Sequence, residues 1–173
     1  RRLDDGLHRI AFFIVPWSMA FLALGDIIPA VLYQTGRFTR ADSRFVWAIL
    51  AGSAVGLLAS TLGRVYSSTF YALNDTRTPL RFAVLRVVLT TTLGYVFALV
   101  IPPRLGLELK WGVAGLTISA GLAGWVEFVL LRWSLNQRIG KTGLPLSYVM
   151  KLWTGAIIGA AVGWGLRFLL GER

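Results

Sequence analysis

The chain has 173 residues, 55% of them hydrophobic and only 15% charged, and its mean hydropathy is +0.65. Soluble domains average about 25% charged residues, so a soluble globular class is excluded; the absence of cysteine excludes disulfides and thiolate metal sites. The 18 Lys and Arg against 8 Asp and Glu give a net charge of +10. They are spread over loops and helix ends with no basic face, which argues against nucleic acid and for cationic loops that orient spans and touch anionic head groups.

A bilayer core needs roughly 20 consecutive apolar residues to be crossed, and five stretches supply them. They predict an all-α, polytopic transmembrane helix bundle of about five spans plus a short interfacial helix, forming a single membrane region over residues 1–173. The opening Arg1-Arg2-Leu3-Asp4-Asp5 has neither Met nor a cleavable signal pattern, which predicts a segment of a longer chain. The first span is predicted over 7–24, kinked at Pro16, which removes one backbone hydrogen bond. Gly25 breaks it. Asp26 can then cap a short helix over 26–34, with Pro29 in its first turn and Tyr33 at head-group level.

Gly36 and the polar "RFTRAD" follow, and Asp42 or Ser43 can cap the second span, predicted over 43–73. At 1.5 Å per residue it reaches roughly 45 Å and protrudes from the hydrocarbon. Gly52 and Gly56 form a small-xxx-small pair that permits close helix contact. The polar "NDTRTP" (Asn74–Pro79) interrupts two apolar runs. Asn74-Asp75 ends one helix, Thr78 and its neighbours begin the next, and Pro79 suits a first helical position.

The third span is predicted over 79–101, ending at Pro102-Pro103. The fourth covers 111–138, between Trp111 and Trp133. "IGKTGLP" leads to the fifth, over 146–170, where Gly155, Gly159 and Gly163 recur every fourth residue. That smooth stripe suits ordinary helix packing or a lipid tail. Ten Lys and Arg fall on the side of the N-terminus and of "NDTRTP", and seven on the other. The positive-inside rule therefore places the N-terminus and that loop in the cytoplasm.

Catalysis finds no support. His8 stands alone at a helix start near Asp4 and Asp5, as a solvated side chain does. No paired carboxylates, metal-ligand cluster, nucleophile motif or phosphate-binding glycine loop occurs, so the chain reads as a non-enzyme without cofactor or metal. Charges at membrane depth carry more, since each is costly there unless paired or hydrated. Arg64 precedes Asp75 by eleven residues, roughly 16 Å of helix, and Glu127 lies at similar depth before Arg138. Arg86 is seven residues inside the third span and can snorkel. Two readings are open. Arg64, and with it Arg86, faces a hydrated cavity or pairs with Glu127; alternatively a buried ion pair only fixes helix packing.

Two stretches resemble a known family. "QTGRFTRAD" (Gln34, Gly36, Phe38, Asp42) and "FYALNDTRTP" (Phe70, Tyr71, Asp75, Thr78, Pro79) are similar to the paired signatures of the MurJ/MviN family. The resemblance implies the C-terminal part of a two-lobed flippase of the multidrug/oligosaccharidyl-lipid/polysaccharide exporter superfamily. It implies alternating access that moves lipid II, an undecaprenyl-pyrophosphate-linked precursor, from the inner to the outer leaflet of the bacterial cytoplasmic membrane. Cell-wall synthesis and cell shape depend on that step. The implied partners are lipid II, membrane lipids, the N-terminal lobe and cell-wall synthesis proteins. The "NDTRTP" loop would then be a cytoplasmic hinge, with Asp75 and Thr78 holding the turn while Arg77 and Arg81 meet phosphates. A plain capping turn is the simpler alternative.

Other functions are weighed against it. A sister exporter of other lipid-linked oligosaccharides, or of cationic drugs, would favour acidic cavity residues, of which only Glu127 and Asp26 offer themselves. A non-transporting scaffold that docks cell-wall synthesis proteins would show a dry core with every charge paired, whereas a transporter would show a cavity lined by Arg64.

Overall fold

The computed structural model describes residues 2–25, 40–106 and 108–170, and every regular element among them is helical. In chain order these are α1 (Arg2–Leu24), α2 (Arg40–Ala72) and α3 (Arg77–Tyr95), which runs on through a π-helical turn, Val96–Val100, into α4 (Ile101–Arg104). A 3₁₀ turn, Leu109–Trp111, precedes α5 (Gly112–Ile139), and α6 spans Leu146–Leu170. Counting Arg77–Arg104 as one, five helices are long and apolar enough to cross a membrane. The interfacial helix expected over 26–34 lies outside the described residues.

The bounds differ from the sequence expectation in instructive places. The first helix begins at Arg2 rather than near residue 7, with Asp4 and Asp5 in its first turn, where carboxylates meet the positive end of the helix dipole. The second begins at Arg40, so Asp42 lies inside its first turn rather than capping it. The third does not stop at Pro102-Pro103. Both prolines occupy the first positions of α4, where a missing N–H matters least, and the π turn absorbs the change of register, with the Ile101 N–H donating to Val96 O.

Helix α2 lies at the centre, against α5 and against α1; α3 covers α5, and α6 leans on α1. The core joins Leu58, Leu62, Tyr66 and Phe70 of α2 to Phe128, Leu131 and Leu135 of α5 and to Leu7 and Val15 of α1. Tyr66 and Phe128 meet edge to face at 5.6 Å, a favoured aromatic geometry. Glycines set the α2–α5 crossing. A Cβ on Gly56 would stand 2.7 Å from Gly121 Cα, and one on Gly52 would collide with Thr117 Oγ1. In lipid, where apolar burial gives helices no reason to associate, such backbone contact supplies the packing. A Cβ on Gly155 or Gly159 of α6 would meet nothing within 4 Å; the two line an open cleft toward Phe12 and Pro16 of α1.

Candidate functional site

Viewed down its axis, α2 has two faces. At about 100° per residue, Leu58, Leu62, Tyr66 and Phe70 point to the core, while Ser53, Ser60, Arg64, Ser67 and Tyr71 fall on the opposite side, where they are exposed or half-buried. Local hydrogen bonds settle several of the hydroxyls: Ser53 Oγ donates to Ile49 O at 3.0 Å, and Ser60 Oγ to Leu57 O at 3.1 Å. Their lone pairs stay available as acceptors. Arg64 is exposed on this face and makes no ion pair or hydrogen bond with the described residues.

Beside the stripe lies a cleft of about 240 Å³ walled by α2, α3 and α5, with Ser53, Leu57, Ser60, Thr117 and Arg86 on its surface. Arg86 Nη1 donates to Glu127 Oε2 at 2.9 Å, the two side chains being 37% and 12% exposed. Glu127 therefore takes Arg86 and not Arg64 as its partner. Depth alone did not separate the two arginines; azimuth does, because Arg64 projects away from the face that α2 turns to α5.

The second feature is the turn between α2 and α3. Asn74 adopts φ 58°, a left-handed conformation that Asn tolerates better than most residues. The Asp75 N–H returns to Phe70 O at 3.0 Å. Asp75 Oδ1 accepts the N–H groups of Arg77 and Thr78, each at 3.0 Å, and Oδ2 accepts the Thr78 hydroxyl at 2.7 Å. This satisfies first-turn donors of α3 that would otherwise be orphaned. Arg138, at the far end of α5, donates to Asp75 Oδ2 at 2.6 Å and lies 5.4 Å over the ring of buried Phe70. The Thr78 hydrogen bonds, from hydroxyl and backbone, with help from Arg138, hold the Asp75 carboxyl down at about 2.

Of the signature residues, Phe70, Asp75 and Thr78 thus form one knot, Pro79 is buried behind it, and Tyr71, Arg77 and Arg81 are exposed beside it. Asp42 lies at the start of α2; Gln34, Gly36 and Phe38 fall outside the described residues. Sequence reasoning missed Arg138 as the partner of Asp75. His8 is not simply solvated: its ring packs 4.5 Å from that of Tyr148, whose hydroxyl donates to His8 O at 3.2 Å, so it joins α1 to α6. Among the described residues no three His, Cys, Asp or Glu side chains are placed to hold a metal ion.

Five bilayer-length helices, with a polar face running down the central one, define a polytopic α-helical membrane protein. The family model "Lipid II flippase MurJ" matches residues 1–171, and the chain belongs to that family as a multi-pass protein of the inner membrane. It is 28% identical over 162 residues to a probable lipid II flippase MurJ of Rhizobium tropici, covering 92% of this chain and 28% of the relative. It is 26% identical over 168 residues to one of Vibrio cholerae serotype O1, covering 95% and 30%. With the lipid II flippase MurJ of Burkholderia cenocepacia the identity is 29% over 136 residues, covering 79% and 24%. Among solved structures, "Lipid II flippase MurJ, inward closed conformation" superposes with a TM-score of 0.76 at 22% identity, over 99% of this chain and 32% of that one; this likeness establishes the fold. The chain spans less than a third of the length of the relatives it matches.

Proposed function

We propose that this chain is the C-terminal part of a flippase that carries lipid II from the inner to the outer leaflet of the bacterial cytoplasmic membrane by alternating access, in the service of cell-wall synthesis. One observation carries this reading beyond family membership: the polar face of α2, with Arg64 unpaired on it. A guanidinium roughly 16 Å from the helix end is costly among acyl chains, so the stripe faces a hydrated space whose other wall is the N-terminal lobe. A pyrophosphate head group needs such a wet, cationic lining to traverse the bilayer. Arg64 is free to meet it, whereas Arg86 is held beside the cleft by Glu127. The side bearing the Asn74–Pro79 turn is cytoplasmic in this reading, and exposed Arg77 and Arg81 stand there at the level of phosphates.

The test uses the full-length protein in proteoliposomes with fluorescent lipid II. Arg64→Ala is expected to slow flipping about tenfold, the scale of one charge-assisted hydrogen bond, while Arg64→Lys retains more activity. Arg64 is exposed and makes no ion pair or hydrogen bond with the described residues, so folding should be unaffected. Unchanged flux in both Arg64→Ala and Arg86→Ala would overturn the cavity assignment and favour a scaffold that docks cell-wall synthesis proteins.

A further inference from the structure

A separate cavity of about 410 Å³ opens between α5 and α6, at the end of the bundle where the 140–145 loop lies. Its volume falls within the range of ligand sites, roughly 300–1,000 Å³. Leu58, Leu62, Phe128, Leu144 and Trp153 make its walls apolar, and Arg132 and Tyr66 bring the polar atoms. The gap exists because α6 leans on α1 and hardly touches α5.

Arg132 is held as a ligand-binding cation would be. Its Nε donates to Thr142 O at 3.2 Å, and its guanidinium lies so close over Gly143 that a Cβ there would stand 2.8 Å from Cζ. Gly143 has φ 122°, a backbone that L side chains rarely adopt. The loop beneath is itself fixed. Asn136 Oδ1 accepts the Thr142 N–H at 2.8 Å, the Tyr66 hydroxyl lies 3.3 Å from Thr142 Oγ1, and Asp4 Oδ1 accepts the Gly143 N–H at 3.2 Å. Of the five N–H donors of a guanidinium, only Nε has a partner among the described residues, and no carboxylate among them forms an ion pair with Arg132. Asp4 is engaged with the Gly143 N–H, while Lys141 in the same loop is an exposed second cation.

From this geometry we propose that the cavity binds one anionic phospholipid of the adjoining leaflet, its phosphate on the Nη atoms of Arg132 and an acyl chain between α5 and α6. Arg132 stands seven residues before the end of α5, about 10 Å along the axis, which is the boundary between head groups and hydrocarbon. Water suits the site poorly, since most of its wall offers no hydrogen bond. A half-buried cation with no ion-pair partner among the described residues, directly above an apolar slot, matches an amphiphile with an anionic head. The lipid would fill the seam that the helices leave, on the far side of the core from the polar face of α2.

Native mass spectrometry of the full-length protein, titrated with phosphatidylglycerol or with phosphatidylcholine of the same chains, tests this. Phosphatidylglycerol is expected to be retained about fivefold more tightly, the scale of one basic residue at a membrane surface. Arg132→Gln should abolish the preference, and Arg132→Lys should keep most of it. Leu144→Trp leaves the guanidinium in place and fills the slot, so it should remove retention of both lipids; it also serves if Arg132→Gln does not fold. Equal retention of the two lipids by the unaltered protein would overturn the proposal. So would a preference that survives Arg132→Gln, undiminished retention in Leu144→Trp, or binding of a polyprenyl pyrophosphate lipid alone.

Discussion

Asp75 shows how much one carboxylate can organise. It closes the α2–α3 turn through three hydrogen bonds from Arg77 and Thr78 and receives Arg138 from the end of α5. Its pKa is lowered to about 2 from an ordinary 3.8. The stabilisation it provides is therefore complete above about pH 5 and is lost progressively as the pH falls from there through about 2. Amide exchange at Arg77 and Thr78, corrected for its intrinsic pH dependence, is expected to show the same protection at pH 5 and pH 7. Asp75→Asn should remove that protection at either pH. A marked fall in protection between pH 7 and pH 5 in the unaltered protein would contradict the assignment. The turn itself was legible in the sequence, since Asn, Asp, Thr and Pro in this order announce a helix end followed by a helix start. Arg138 was not legible. It lies more than sixty positions away on another helix, and nothing local to either residue signals the other.

At the scale of helices, apolar length anticipated five helices long enough to cross a membrane, and the departures sit where local chemistry outweighs the simple rule. Pro102 and Pro103 read as a stop, but a π turn before them moves both into positions that need no N–H. The pairing of Glu127 was equally out of reach, because counting residues along an axis gives depth and not direction. The missing direction was nevertheless present in the sequence: Ser53, Ser60, Arg64, Ser67 and Tyr71 share a face at helical spacing, which marks that face as turned away from the packed side. The glycine motifs divide in the same way. Spacing alone did not distinguish Gly56, which meets Gly121 backbone to backbone, from Gly155, which meets nothing. Gly56→Ala is expected to destabilise the purified protein by about 1–3 kcal/mol, the usual penalty of overpacking, as read from thermal unfolding in detergent. Gly155→Ala should leave the midpoint unchanged or raise it slightly.

For the whole molecule, the central question is which surfaces meet water and which meet lipid. The natural chain has no cysteine over these residues, so single cysteines report cleanly wherever the rest of the protein is also cysteine-free. Ser60→Cys, on the polar face, is expected to react with a membrane-impermeant maleimide at least about tenfold faster than Val129→Cys, which is exposed on the apolar surface of α5; thiols react as thiolates, which form far more readily in water. Equal, slow labelling at both positions would show the stripe to be dry.

The knot of Phe70, Asp75, Thr78 and Arg138 has a mechanical corollary. It ties three of the five long helices together at one end, so in the proposed alternating-access cycle they would move there as one unit. Displacement at that rim would then pass through the bundle as leverage, with the pivot where no such rivet exists.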